Sequence, residues 1–335
     1  MITNEHKRFR VQRGLIMNIK DLGGEFELIK RLAGKELTDS SVIKGIGDDC
    51  AVLEFSEYYH LLVTTDMLVE NDHFALKWQT PYQIGMKLME CNVSDIAAMG
   101  GIPNYAFVSL SLKKETSVEF LDELYKGLYE SAEKHNVKII GGDTTHGTEY
   151  VFNLCLLGSV KKELLRLRSS AKIKDLICVT GNLGGSKAGL ELLRQNKTGF
   201  LDDYLEPKCR TSEEARTIAK YCNAMIDVSD GLGSEVNHIC AESKCGAEIY
   251  YEKVPVSETT TESARTLNAD AVEFALYGGE DFELVFTIPE EKVNLLRREF
   301  SDFTIVGKIL YKEEGVQLIK DKKKSLLKKG FDHFD

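Results

Sequence analysis

The chain has 335 residues, a length that fits two domains. Hydrophobic residues make up 43% and charged residues 29%, which excludes a disordered or fibrous chain. The net charge of −10 argues against a general nucleic-acid binder, which would carry a basic face. It leaves room for a nucleotide, because bound Mg²⁺ reverses the local field.

The stretch from Met1 to Arg13 is basic but is followed by no apolar core long enough for a signal peptide. No uninterrupted apolar run approaches the ~18 residues of a membrane span. The expected location is therefore cytoplasmic. Met17 precedes Asn18-Ile19-Lys20-Asp21-Leu22-Gly23-Gly24-Glu25-Phe26, so residues 1–16 read as an extension and Met17 as the natural start. The eight cysteines form no Cys-x-x-Cys pair and no zinc-spaced Cys/His cluster, and are expected as small buried thiols in a reducing compartment.

In chain order, His60 to Thr65 reads as a strand ending in Asp66. Pro81 suits the first turn of a helix that runs to Met99 and stops at Gly100-Gly101, with Asn92 and Asp95 on one face. Tyr105 to Leu112 is a strand. Thr116-Ser117-Val118-Glu119 reads as a capping box opening a helix with apolar residues at Val118, Leu121, Leu124, Tyr125, Leu128 and Ala132. Val137 to Ile140 is expected as a short buried strand delivering Gly141-Gly142-Asp143, and Tyr150 to Leu157 as another strand. Leu176 to Val179 leads into the Gly181–Gly185 loop and a helix through Leu193. A capped helix follows from about Ser212 to Cys222. Ala224 to Ile226 delivers Asp227, and a helix begins near Gly231. Strands around Phe282 to Thr287 and Phe303 to Ile309 flank a helix from about Glu290. This mixture predicts an α/β (α+β) fold of two mixed domains. The expected division is an extension at 1–16, an N-terminal sheet domain at 17–160 and a C-terminal α/β sandwich at 161–335.

Short motifs ending in aspartate recur along this order: Gly45-Ile46-Gly47-Asp48-Asp49, Thr64-Thr65-Asp66, Asn92-Val93-Ser94-Asp95, Gly141-Gly142-Asp143-Thr144-Thr145 and Asp227-Val228-Ser229-Asp230-Gly231. Any one alone is more often a turn or a helix cap. Together they predict hard oxygen ligands converging on a Mg²⁺ shared with phosphates, with Asp49, Asp66, Asp95, Asp143 and Asp227 as the ligands. Gly181-Asn182-Leu183-Gly184-Gly185-Ser186-Lys187 lacks the spacing of a phosphate loop. It reads equally as a strand-to-helix turn or as a phosphate contact through helix amides. His73, Arg168 and the Gly278-Gly279-Glu280-Asp281 turn are each ambiguous alone, and local spacing does not say whether Glu280 or Asp281 faces a substrate.

Taken in order, these motifs, with His73-Phe74, Gly278-Gly279-Glu280-Asp281 and the ending Gly330-Phe331-Asp332-His333-Phe334, closely resemble the thiamine-monophosphate kinase family over roughly residues 24–335. The wider superfamily includes aminoimidazole ribonucleotide synthetase, selenophosphate synthetase and a hydrogenase maturation factor. The resemblance implies phosphorylation of thiamine monophosphate by ATP with several Mg²⁺ ions; because the attacking phosphate oxygen is already largely anionic at neutral pH, direct in-line transfer is expected. It implies metal contacts at Asp49, Thr64, Thr65, Asp66, Asp95, Asp143, Asp227 and Asp230, with Asp66 and Asp143 central to catalysis. ATP contacts are implied at Gly142, Asp143, Arg168, Ser229 and Tyr125, and thiamine monophosphate contacts at His73, Glu280 and Phe331. It also implies a homodimer pairing through the N-terminal sheets, and neither nucleic-acid nor membrane partners. Two departures stand out. Glu206-Pro207-Lys208-Cys209-Arg210 lacks the second proline of a Pro-x-Pro-Arg-like segment, and Phe331 lacks a ring hydroxyl that is also common there. The rival readings are an ATP-dependent synthetase of the same superfamily and a Ca²⁺-binding structural protein, the latter without an EF-hand loop or calcium repeat.

Overall fold

The structure is a computed structural model that describes residues 19–22, 24–33, 39–328 and 330–331. The expected extension, the Met17 start and the Asp332-His333-Phe334 ending lie outside the described residues. Among the described residues, helices α1 (Ile19–Leu22) and α2 (Glu25–Leu32) belong to a small unit of their own. Residues 37–331 form the second unit, with two mixed sheets.

The first sheet contains β1 (Val42–Lys44), β2 (Ala51–Glu54), β3 (Tyr59–Val69), β4 (Ile102–Leu112), β5 (Lys138–His146) and β6 (Val151–Lys161), in the order β1-β2-β3-β6-β4-β5. Only β4 and β5 run parallel. Helices α3 (Pro81–Ala98) and α4 (Val118–Lys134) cover its inner face, and Leu62, Phe152, Leu154 and Val108 pack there against Ile84, Leu88, Val93 and Leu128. Helix α3 starts at a Thr80–Gln83 capping box with Pro81 in its first turn. It ends as expected: Gly100 N–H bonds Ala97 O and Gly101 N–H bonds Ile96 O, the two reversed bonds of a glycine C-cap. Gly85 and Gly127 let α3 and α4 cross in contact, since a Cβ on either would lie 2.0 or 1.9 Å from a carbonyl oxygen of the other helix.

The second sheet contains β7 (Leu176–Thr180), β8 (Ala224–Asp227), β9 (Gly246–Tyr250), β10 (Leu284–Ile288), β11 (Phe303–Leu310), β12 (Val316–Lys320) and β13 (Lys323–Leu326), in the order β13-β12-β9-β11-β7-β10-β8. The other helices are α5 (Gly185–Arg194), α6 (Asp202–Leu205), α7 (Ser212–Ala219), α8 (Leu232–Ser243), α9 (Glu258–Leu267), α10 (Ala271–Tyr277) and α11 (Val293–Glu299). Continuous apolar runs such as Leu284-Val-Phe-Thr-Ile288 serve both faces of this sheet. Val285 joins a core with α8 and α10, while Leu284 and Phe286 join one with α7, α11 and the end of α3. Helix α3 thus touches both sheets, and 14 of its 18 residues are buried, Ile84 to Ser94 and Ile96 to Ala98.

Four expectations are corrected. Strand β3 continues past Asp66 to Val69, because all eleven residues pair with β6. Strand β5 extends to His146 and is an exposed edge, since only β4 pairs with it. The cap of α4 is Ser117, whose Oγ accepts from Phe120 N, while the Thr116 hydroxyl donates to Lys113 O. Helix α7 ends at Ala219 rather than near Cys222.

Candidate active site

Four segments bring the aspartates together. The loop before β2 supplies Asp48 and Asp49, the inner face of β3 supplies Thr64 and Asp66, and α3 supplies Asp95. The end of β8 adds Asp227. Carboxylate oxygens of Asp49, Asp95 and Asp227 all lie within 4.8 Å of one another. Thr64 Oγ1 donates to Asp95, and Ser94 Oγ donates to Asp227 Oδ2 at 2.6 Å. Asn92 Oδ1 accepts from Asp66 N at 3.1 Å, so one helical turn carries Asp95 and, through Asn92 and Ser94, bonds the strand residues Asp66 and Asp227. Arg168 Nη2 donates to Asp49 Oδ1 at 2.7 Å, and its backbone N–H to Asp48 Oδ1 at 3.0 Å.

This cluster is electrostatically incomplete. Burial, then repulsion from Asp66, Asp227 and Asp49, raises Asp95 well above the usual carboxylate range. Burial and Asp49 do the same to Asp227. Burial raises Asp66, and burial with Asp49 pushes Asp48 up to about 6. The Asp49 Oδ2 atom is buried with no hydrogen-bond partner. A hard divalent cation would relieve both the repulsion and the orphaned oxygen, and an all-oxygen donor set suits Mg²⁺.

A second group lies along the loops after β8 and before β10. Glu280 N–H donates to Ser229 O at 2.8 Å, Phe282 N–H to Val228 O at 3.0 Å, and Phe331 N–H to Asp230 O at 3.2 Å. The structure therefore draws Ser229, Asp230, Glu280 and Phe331 together. Glu280 and Phe282 are held at φ +65° and +50°, conformations that cost non-glycine residues energy and persist only when the surroundings impose them. Between them, Asp281 turns the other way and accepts the Gly184 and Ser186 amides at 2.7 and 3.4 Å. Asp281 thus takes the Gly184 and Ser186 amides at the start of α5, while the Gly181 and Leu183 amides bond Asp302 O and Pro255 O, and Glu280 pairs instead with Lys87.

Lys87 is the main residue the motif reading missed. It is 1% exposed, donates to His73 O at 2.7 Å, and pairs with Glu280. One buried ammonium ties together two residues read as substrate contacts. Its signal was a lone cation in an apolar helix, eight residues before Asp95 and so on the same face. Glu235 was also missed; it is buried and accepts from Asp230 N at 2.8 Å.

Other residues lie apart. Thr65 points to the opposite face of β3 from Thr64, where Asn153 Nδ2 donates to its hydroxyl at 2.9 Å. Asp143 is exposed on β5 and pairs in register with Ser109, which pairs with Asn153, so it too belongs to that outer face, about 14 Å across the strands from Met67. Gly142 lies against β4, where a Cβ would come within 1.8 Å of Val108 O. Tyr125 packs against the first core on α4, 5.9 Å from the Tyr129 ring.

Residues 47–160 match the AIR synthase related protein, N-terminal domain, and residues 174–318 match its C-terminal domain. A thiamine-monophosphate kinase of Buchnera aphidicola subsp. Acyrthosiphon pisum is 38% identical over 325 residues, 93% of this chain and 99% of that one. This chain belongs to the thiamine-monophosphate kinase family. The Bacillus subtilis member is 34% identical over 92% of this chain and 99% of its own. The solved structure of AaThiL complexed with AMPPCP and TMP superposes with a TM-score of 0.84 at 34% identity, covering 96% of this chain and all of that one. Among the described residues, no helix is long and apolar enough to cross a membrane.

Proposed function

We propose that this chain transfers the γ-phosphoryl group of ATP to thiamine monophosphate, releasing thiamine diphosphate and ADP, as a step of thiamine diphosphate biosynthesis. The observation that carries this reading is the convergence of Asp49, Asp95 and Asp227 beside Arg168 in a member of this family. AaThiL has been captured with AMPPCP and TMP, and we assign ATP and thiamine monophosphate to the corresponding sites here.

Asp49, Asp66, Asp95 and Asp227, with Thr64 and Asp230, would hold Mg²⁺. The ion supplies charge neutralisation and alignment of the two phosphate groups. The attacking atom is a phosphate oxygen, largely anionic at neutral pH, so the protein needs no strong general base. Its task is to bring two polyanions together and hold them in line. Arg168 balances charge beside Asp49 and, with Ser229 and Gly142, faces the nucleotide; we assign Tyr125 to the same ligand. His73, Glu280 and Phe331 hold the acceptor, with Lys87 fixing the first two.

We further assign the outer face of the first sheet to homodimer pairing. Met67, Tyr105, Phe107 and Ile140 stand 51%, 50%, 39% and 55% exposed there, an apolar surface that favours being covered. Asp143 and Thr65 share that face, so we assign their metal contacts to the paired state. The eight free thiols fit a cytoplasmic setting.

A panel of acceptors tests the assignment. Incubation with ATP and Mg²⁺ should give ADP only with thiamine monophosphate, together with thiamine diphosphate on chromatography. ADP formed only with an acceptor of a related synthetase would overturn the substrate assignment.

A further inference from the structure

Away from the carboxylate cluster, three side chains of different chemistry meet in the interior. Glu90 lies on α3, His135 caps α4, and Cys209 lies in the segment before α7. All three are buried, and one ligand atom from each falls within 4.8 Å of the other two. His135 Nε2 is 3.0 Å from Glu90 Oε1 and 3.8 Å from Cys209 Sγ. They lie 45 and 74 residues apart in the chain, so only the fold assembles them.

We propose that Glu90, His135 and Cys209 form a binding site for a borderline-soft divalent transition metal of the Zn²⁺ class. The donor set is carboxylate oxygen, imidazole nitrogen and thiolate sulfur, which selects such ions over Mg²⁺. With bonds of about 2.0–2.3 Å, the edges of a tetrahedral site are about 3.3–3.8 Å, and the two measured separations fall within a few tenths of that range.

The surroundings fit this use. Glu90 Oε2 accepts the Cys209 N–H at 2.9 Å, and Ser131 Oγ donates to Glu90 Oε1 at 2.8 Å. Both bonds orient the carboxylate from outside, as partners of metal ligands do. A proline at 209 would supply neither that N–H nor the thiol. Among the described residues, the lysine that competes for the carboxylate is Lys134, whose Nζ lies 3.0 Å from Glu90 Oε1. Its side chain is 40% exposed, so it can turn into solvent and leave Glu90 free to bind an ion. On binding, the Cys209 S–H bond breaks, the proton leaves to solvent, and the sulfur–metal bond forms. The ion would then join α3 and α4 to the segment whose next residue, Arg210, grips Glu283 and Asp302.

The test is a Co²⁺ titration of the full chain under reducing, metal-free conditions with excess Mg²⁺ present to occupy the carboxylates. The expected result is a near-ultraviolet thiolate-to-cobalt absorption band that saturates at one equivalent, is lost in Cys209→Ser, is weakened in His135→Gln, and is displaced by Zn²⁺. Cobalt held by carboxylates gives no such band, so the signal reports sulfur ligation alone. Absence of the band in the wild-type chain overturns the proposal without any variant. So does a band that survives Cys209→Ser, which would place the metal on another thiol.

Discussion

At the residue scale, the site is organised by buried charges that answer one another unequally. Arg168 pairs with Asp49, yet Asp95, Asp227 and Asp66 all shift upward because burial and mutual repulsion outweigh the charge it supplies. Glu90 is the opposite case. Burial would raise it, but hydrogen bonding and charge from His135, the Lys134 ammonium and the Cys209 amide hold it down to about 2. A carboxylate lowered in the folded state stabilises the fold above its unfolded pKa, and that gain fades as pH falls toward its folded value. Glu90→Gln should therefore flatten the fall in Tm between about pH 4.5 and pH 2. An unchanged acid limb would mean that Glu90 carries no such load. Lys87→Met should raise KM for thiamine monophosphate by about tenfold or more, the cost of losing one charged contact, with KM for ATP unchanged. Lys87→Arg should recover part of the loss. Equal changes in both KM values would show that Lys87 serves the fold at large.

At the element scale, α3 is the axis of the molecule. It carries Lys87, Asn92, Ser94 and Asp95, packs on β3 and β6, and meets β8 of the second sheet. Its close crossing with α4 depends on Gly85 and Gly127. Gly127→Ala, with a Cβ 1.9 Å from Tyr82 O, should destabilise by about 2–4 kcal/mol, because overpacked backbone has no rotamer to escape into. A control, Ser117→Ala at the α4 cap, should cost about 1 kcal/mol. Comparable midpoints for the two variants in denaturant would refute the crossing as a fixed point. Much of α3 was legible in the sequence, because its Pro81 start, its Gly100-Gly101 stop and the spacing of Asn92 and Asp95 are local signals. Strand β5 was legible only at its start, Val137 to Ile140. The glycines and polar residues that follow carry no strand signal, and only pairing with β4 extends the strand to His146. The hairpin of β12 and β13 was missed for the same reason: its order comes from β9, far away in the chain.

At the scale of the whole molecule, the aspartate motifs were visible at once, but their grouping was not. Alternation along β3 sends Thr64 and Asp66 to the helices and Thr65 to the other face, and sheet order carries Asp143 to the exposed edge. The first split follows from strand periodicity once Thr65 is read as strand, but no spacing rule predicts the second, because it depends on which strands become neighbours. Lys87 escaped for a related reason, since both its partners come from other elements. If the outer face pairs two copies, sedimentation should report a dimer. Tyr105→Lys with Phe107→Glu should yield monomers and lower turnover through Asp143, while a monomeric wild-type chain would contradict that assignment. The proposed phosphoryl transfer rests on carboxylates holding the cations that join ATP to the acceptor. The measurement that bears on it most directly is product formation by wild type, Asp66→Asn and Asp143→Asn at saturating Mg²⁺. It predicts equal amounts of ADP and thiamine diphosphate from the wild-type chain and kcat lowered by about 100-fold or more in each variant. Near-normal turnover in both variants would contradict it.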